Sequence, residues 1–205
     1  MRADARTTII LLAGGPATRL PGKLALDVDG EPMVVRSYRR LTALHWPCIV
    51  SARTALAPAL AGALCDAEVA LDEIADGGPL AGLYSAARST RTPLFFAAAA
   101  DLPNISVDFA RALLAAYDAA PEPKPSAVLP TWPDGHVEPL AALYERDAFV
   151  RGAGAALEAG KRKVTAALDG VRVLAYRVEA KDASILLNVN TPADFETLRR
   201  TGAAS

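Results

Sequence analysis

Residues 93–100, Pro-Leu-Phe-Phe-Ala-Ala-Ala-Ala, are apolar without interruption, and the run stops at Asp101. An amphipathic helix would place polar residues every third or fourth position, and a strand with one wet face would alternate. A short run that does neither fits a central strand covered on both faces, as in a parallel sheet between two layers of helices. The neighbouring segments supply such layers. Thr7–Leu12, 48–51 and Glu68–Leu71 read as further short strands. Between them lie a helix opened by Pro32 with Val34, Tyr38 and Leu41 at helical spacing, a helix over 57–64, a helix over 80–88 after the Gly77-Gly78-Pro79 break, and one capped by Ser106. This alternation predicts an α/β, Rossmann-like, doubly wound and mostly parallel sheet with helices on both faces.

The remainder continues in short units. Residues 24–28 read as an extended piece turned by Asp29-Gly30. After a proline-rich connector at 122–125 come an extended segment at 127–129, a turn at Pro133-Asp134-Gly135 and a second extended segment at 139–144. A helix over 148–159 ends at Gly160. Val164–Leu168 reads as a short helix, 171–178 as an alternating strand, and Thr191, Pro192 and Asp194 as the start of a last helix reaching about residue 200. At 205 residues, with no internal repeat, the chain is expected to be one domain (1–205).

Composition removes several classes of function. Lys plus Arg number 22 and Asp plus Glu 23, a formal charge of −1, so no nucleic-acid or anionic-membrane surface is expected. The longest strongly apolar stretch, 94–100, is far too short to cross a bilayer. Arg2, Asp4 and Arg6 precede only a brief apolar segment, a poor secretory signal. Cys48 and Cys65 form no C-x-x-C motif and are expected to be buried thiols of a reducing compartment, the cytoplasm. There is no G-x-S-x-G elbow, and His45 and His136 are the only histidines, so neither a catalytic triad nor a His-based metal site has support.

The chemistry points to phosphate. Thr7–Leu12 empties into Ala13-Gly14-Gly15, and Arg19 and Lys23 follow before the next element. Glycines let backbone N–H groups turn toward an anion, and the two cations add charge and donors. The loop is not a Walker A motif, because Gly22-Lys23 is followed by Leu24, and no G-x-G-x-x-G can be read from it. On these residues alone, a tight turn with solvated Arg19 and Lys23 stands as the alternative. Asp101 ends the central strand. In an open parallel sheet, ligands bind beyond the carboxyl ends of the strands. If the two strands are neighbours, Asp101 faces Arg19 and Lys23, and a carboxylate beside phosphates is the usual way to hold Mg²⁺. Its other reading is a turn residue before Pro103.

Leu12-Ala13-Gly14-Gly15, Arg19-Leu20 and Gly22-Lys23 together resemble the L-A-G-G-x-x-x-R-…-K signature of MobA-like nucleotidyltransferases. The resemblance continues, in the family's order, at Gly78-Pro79-Leu80-Ala81-Gly82, at Asp101-Leu102-Pro103 and at Asn188-Val189-Asn190-Thr191-Pro192. It implies a nucleotide-diphospho-sugar transferase-like fold and a Mg²⁺-dependent reaction. Within the group the match is nearest to members that move GMP from GTP to molybdopterin-bound molybdenum cofactor, with pyrophosphate leaving and a molybdoenzyme or its chaperone downstream. It further implies that Leu12, Ala13, Gly14, Gly15, Ser51, Asp72, Gly78, Pro79 and Leu80 contact the nucleotide, and that Lys23 and Arg19 serve its phosphates. Asp101 is implied as the metal ligand, and Asn188 and Asn190 lie on the acceptor side. The basic run Lys161-Arg162-Lys163 and the pair His136 and Glu138 fall toward the acceptor, or are solvated surface. Three departures stand out: Gly22 replaces the aspartate before the loop lysine, Ser51 replaces an asparagine associated with guanine, and Ala100 replaces the cysteine before Asp101. The first two bear on the base, so CTP and a cytidylyltransferase for the same cofactor, or another NTP-dependent nucleotidyltransferase, form the alternative, and a non-catalytic nucleotide- or pterin-binding module a further one.

Overall fold

The apolar runs become strands and the amphipathic stretches the helices that cover them in the computed structural model, which describes residues 6–14, 22–64, 66–74 and 76–202. In chain order the elements are β1 (Thr7–Leu12), β2 (Asp27–Val28), β3 (Glu31–Pro32), α1 (Met33–Thr42), β4 (Cys48–Ala52), α2 (Pro58–Ala63), β5 (Glu68–Leu71), α3 (Gly78–Ser89), β6 (Leu94–Ala99), α4 (Val107–Ala119), β7 (Ala127–Thr131), β8 (Ala141–Glu145), α5 (Arg146–Glu158), β9 (Val173–Arg177) and α6 (Pro192–Gly202). Seven strands form one sheet in the order β5-β4-β1-β6-β8-β7-β9. All are parallel except β8, which runs against both of its neighbours. The predicted mostly parallel sheet is observed; strand direction at β8 was invisible in the sequence, because an apolar strand reads the same in either sense.

Side chains that alternate along a strand leave on opposite faces. Ile9 and Leu11 of β1 join α1 and α4 in one core with Tyr38, Leu41, Phe109 and Leu113. Ile10 joins α3 and α5 in the other, with Leu80, Leu83, Phe149 and Ala153. On that second face Phe95 stacks on Tyr144 with ring centroids 5.1 Å apart, and Phe149 meets Phe95 edge-on at 5.2 Å. The tyrosine's polar end is satisfied by donation to Pro139 O at 2.6 Å. Every residue of β6 is buried, as a strand covered on both faces requires.

A third, small core lies to one side. Val28, Met33, Val189 and Leu198 are buried together, with Leu24 and Phe195 packed against them. It ties the β2–β3 ribbon and the start of α1 to α6, far apart in the chain. One expectation changes here. Residues 23–25 form a 3-10 turn instead of extended chain, and only 27–28 are strand. Gly22 begins the turn at φ 70°, in the left-handed region that suits glycine, and Ala25 and Leu26 donate back to Gly22 O and Lys23 O. Cys48 is half-buried with its thiol pushed up to about 12 by burial; Cys65 lies outside the described residues. Among the described residues no helix is long and apolar enough to cross a membrane.

Candidate active site

Strand register brings several chain ends to one edge of the sheet. Leu12 lies opposite Ser51 on one side and Ala99 on the other, and Leu71 lies opposite Ala52, so that Asp72 follows at the same level. Antiparallel β8 begins where β6 ends, and Ala99 N–H donates to Leu140 O at 2.8 Å. Loops that diverge from strands ending together leave a crevice. Here it is a cleft of about 340 Å³ lined by Leu12, Ala13, Gly14, Lys23, Ser51, Asp72, Gly78, Pro79 and Asp101, all expected site residues, and also by Arg53, Asp76, Gly82, Leu140 and Arg162.

The inner end of the cleft is charged and half-hidden. Lys23 Nζ donates to Asp101 Oδ2 at 2.5 Å and to Asn190 Oδ1 at 2.8 Å. The Lys23 and Asp101 side chains are 12% and 16% exposed. Taking two charges out of water is costly unless geometry and further hydrogen bonds compensate, and Asn190 supplies one of those bonds. The loop that carries Asn190 is itself pinned. Val189 N–H donates to Asp101 O at 2.9 Å. Asp194 accepts from Asn190 N–H at 2.9 Å and Thr191 N–H at 2.8 Å, and its own N–H donates to Thr191 Oγ1. Desolvation opposes ionisation of Asp194, but those hydrogen bonds outweigh it and hold its carboxyl below the ordinary value.

The outer end sits toward the sheet edge. Ser51 Oγ donates to Asp72 Oδ1 at 3.3 Å. Burial pushes the Asp72 carboxyl up, against the Ser51 hydrogen bond and the charge of Arg53. Gly82 of α3 lies against both: a Cβ there would stand 2.8 Å from Ser51 Oγ and 2.9 Å from Asp72 Oδ1. Glycine is what leaves room for the pair. Gly78, at φ +64°, turns the chain into α3 with Arg162 against it.

The other expected site residues divide. Leu80 is fully buried in the second core and does not line the cleft. Neither Asn188 nor Asn190 lines the cleft, but Asn190 reaches Lys23, which does. Gly15 and Arg19 lie outside the described residues. Of the basic run, Arg162 reaches the cleft, while Lys161 pairs with Asp169 at 2.6 Å. Glu138 accepts from Trp132 Nε1 at 3.0 Å, with His136 Nε2 at 3.5 Å, in the β7–β8 connection; that connection touches the cleft through Leu140 alone. Arg53, Asp76 and Gly82 were missed as site residues. Arg53 and Asp76 follow strand ends closely, which is the signal that could have found them.

Known proteins resemble this chain in sequence and in fold. Residues 9–173 match the family model described as the MobA-like NTP transferase domain. A molybdenum cofactor guanylyltransferase from Burkholderia ambifaria is 37% identical over 200 residues, covering 94% of this chain and 95% of its own. The crystal structure of molybdopterin-guanine dinucleotide biosynthesis protein A from Archaeoglobus fulgidus superposes with a TM-score of 0.79 at 22% identity, covering 97% of this chain and all of that one. A 4-diphosphocytidyl-2C-methyl-D-erythritol synthase from Anaerococcus prevotii superposes at 0.74 with 10% identity, covering 97% and 99%. At such identities the structures speak for the fold alone, which is that of the nucleotide-diphospho-sugar transferases. The signature loop at the end of β1, the aspartate at the end of β6 and a relative alike over nearly its whole length come together in one conclusion: the chain belongs to the MobA-like NTP transferases and is a nucleotidyltransferase.

Proposed function

We propose that this enzyme transfers GMP from GTP to the terminal phosphate of a molybdopterin-type acceptor and releases pyrophosphate, in the cytoplasm. The observation that carries the reading is the Lys23–Asp101–Asn190 constellation beside Gly14, in a chain 37% identical to a molybdenum cofactor guanylyltransferase. An acceptor phosphate oxygen attacks the α-phosphorus of GTP. The bond from that phosphorus to the bridging oxygen breaks, and pyrophosphate leaves with the electron pair. Such a transfer needs positioning and charge neutralisation and no enzyme nucleophile.

Lys23 is prepared for that work. An ammonium carries three protons, of which two are engaged by Asp101 and Asn190. The third is left for a phosphate oxygen, with the side chain already oriented. Ala13 and Gly14, which follow β1, line the same cleft. Asp72 and Ser51 take the base end, with Gly78 and Pro79 alongside. Gly15 and Arg19 complete the phosphate loop in this reading, and Asn188 and Asn190 face the acceptor.

Mg²⁺ fits Asp101. Among the described residues no cluster of three or more His, Cys, Asp or Glu side chains could hold a metal ion on its own. Mg²⁺ typically takes one or two carboxylates and fills its shell with substrate phosphate and water. Asp101 Oδ2 is held by Lys23, which leaves the other carboxylate oxygen for the metal. Bound there, Mg²⁺ would neutralise phosphate charge during transfer.

The test is pyrophosphate release with GTP, CTP, ATP and UTP, Mg²⁺ and a molybdopterin-loaded acceptor. Release with GTP alone supports the reading. A preference for CTP makes the enzyme a cytidylyltransferase, and nucleotide binding without release makes it a binding module.

A further inference from the structure

Arg53 belongs to no motif and has no place in the reaction above, yet it stands on the wall of the cleft with two contacts and a charge that reaches a third group. Its stem lies across the end of β1: a Cβ on Gly14 would stand 3.0 Å from both Arg53 Cγ and Arg53 N. Its guanidinium reaches Asp76 Oδ1 at 3.3 Å. Its charge acts on the Asp72 carboxyl through space. The guanidinium therefore lies beside Asp76 at the outer end of the cleft, within electrostatic reach of Asp72.

That end is rich in acceptors. Two carboxylates stand there, and the Ser51 hydroxyl already donates to Asp72. A base held between these groups meets acceptor oxygens on the Asp72 side and the guanidinium on the other. Guanine presents the complementary pattern, N–H donors at N1 and the 2-amino group, and adjacent acceptors at O6 and N7. Adenine sets an amino donor beside N7, and cytosine offers an amino donor at N4, so each would turn a donor toward the guanidinium. Arg53 keeps enough donors to hold Asp76 as well, since a guanidinium carries five N–H groups. The Arg53–Asp76 pair is exposed, 45% and 79% by side chain, so reorienting the guanidinium toward a base costs little.

Resting on the guanylyl reading, we propose that Arg53 is a specificity-determining residue whose guanidinium donates to O6 and N7 of the guanine while Asp72 accepts from N1–H and the 2-amino group. Asp76, also on the cleft wall, steadies the guanidinium.

Calorimetric titration with Mg²⁺ tests this, using the full chain, Arg53→Ala and Arg53→Lys against GTP, 7-deaza-GTP and ITP. The first analogue lacks the N7 acceptor and the second lacks the 2-amino donor. The wild-type protein is expected to prefer GTP over 7-deaza-GTP by about tenfold, the low end for a paired arginine–guanine contact. Both variants lose that preference, Lys included, because an ammonium cannot make the paired contact. The preference over ITP, which reports on Asp72, persists in both. If Arg53→Ala weakens all three nucleotides by one factor, Arg53 is a phosphate contact and the proposal falls. It falls equally if the wild-type protein binds 7-deaza-GTP as tightly as GTP. A wild-type protein that binds no nucleotide overturns the guanylyl reading, and this proposal with it.

Discussion

The two ends of the cleft are built in different ways. At the inner end, Lys23 meets Asp101 and Asn190 from 78 and 167 residues away in the chain. At the outer end, Ser51 meets Asp72 and Arg53 meets Asp76 across separations of 21 and 23. The inner groups are mostly hidden from water, and the Arg53–Asp76 pair is open to it. The difference matches the chemistry each end would perform. Charge stabilisation gains from a water-poor, preorganised site, and such a site needs several remote segments to close around it. Reading a base needs a few well-placed donors and acceptors, which two adjacent strand ends can supply.

Changes at each end are expected to separate the two roles. The largest effect falls on Asp101→Ala. Pyrophosphate release should drop by about 10²–10³-fold or more, with the circular dichroism spectrum unchanged; activity retained at saturating Mg²⁺ would remove Asp101 from the reaction. Next comes Leu198→Ala, in the small core that holds α6 and the Asn190 loop against the Lys23 turn. It should cost about 2 kcal/mol in urea unfolding, the low end for a buried leucine, and lower kcat more than it raises the KM for nucleotide. Equal effects on both would mean that this core supports the whole cleft and the two ends are not independent.

Gly82→Ala probes the outer end. The added methyl must displace Ser51 Oγ or the Asp72 carboxylate, so about 1–3 kcal/mol of stability is expected to be lost, and GTP affinity with it. A thermal melt and a binding titration read the two effects. The pH dependence of GTP binding is a smaller and more specific probe. Burial raises the Asp72 carboxyl, so it takes up a proton at a higher pH than an ordinary aspartate. GTP affinity should fall on acidification above the ordinary carboxylate range, and Asp72→Asn should remove that limb. For folding the sign is opposite. As pH rises, the unfolded chain releases this proton first, so stability begins to fall at the ordinary aspartate value and levels off above the raised folded-state value. Asp72→Asn is therefore expected to be at least as stable as the wild type at neutral pH while binding GTP less well. The smallest effect is at Lys161→Ala, whose ion pair with Asp169 is exposed. Its stability should change by less than about 0.5 kcal/mol, which gives a baseline for the others.

Much of this was readable before any coordinates. The apolar run at 93–100, the loop after β1 and the helix starts at Ser106 and Pro192 each carry a local signal, because burial and capping act within a few residues. Ser106 does cap α4 by accepting from Phe109 N–H at 3.1 Å. Asp101 was legible as a strand-end carboxylate. Arg53 and Gly82 carried only weak signals, a strand end for the one and the tail of the Gly78–Gly82 motif for the other. Their neighbours in space come from other strands, and a glycine inside a helix looks merely permissive until Ser51 and Asp72 are found pressed against it.

By itself the sequence determined the layered α/β architecture, the family and the strand ends at which chemistry would gather, since periodicity and short motifs are properties of neighbouring residues. Tertiary structure alone decided that Asn190 and not Asn188 would hold Lys23, that β8 would run backwards and bring Leu140 to the cleft, and that residues 23–25 would coil into a turn. The first two depend on contacts between segments remote in the chain; the turn closes on its own local hydrogen bonds and is held in place by the small core and by the contacts of Lys23 with Asp101 and Asn190.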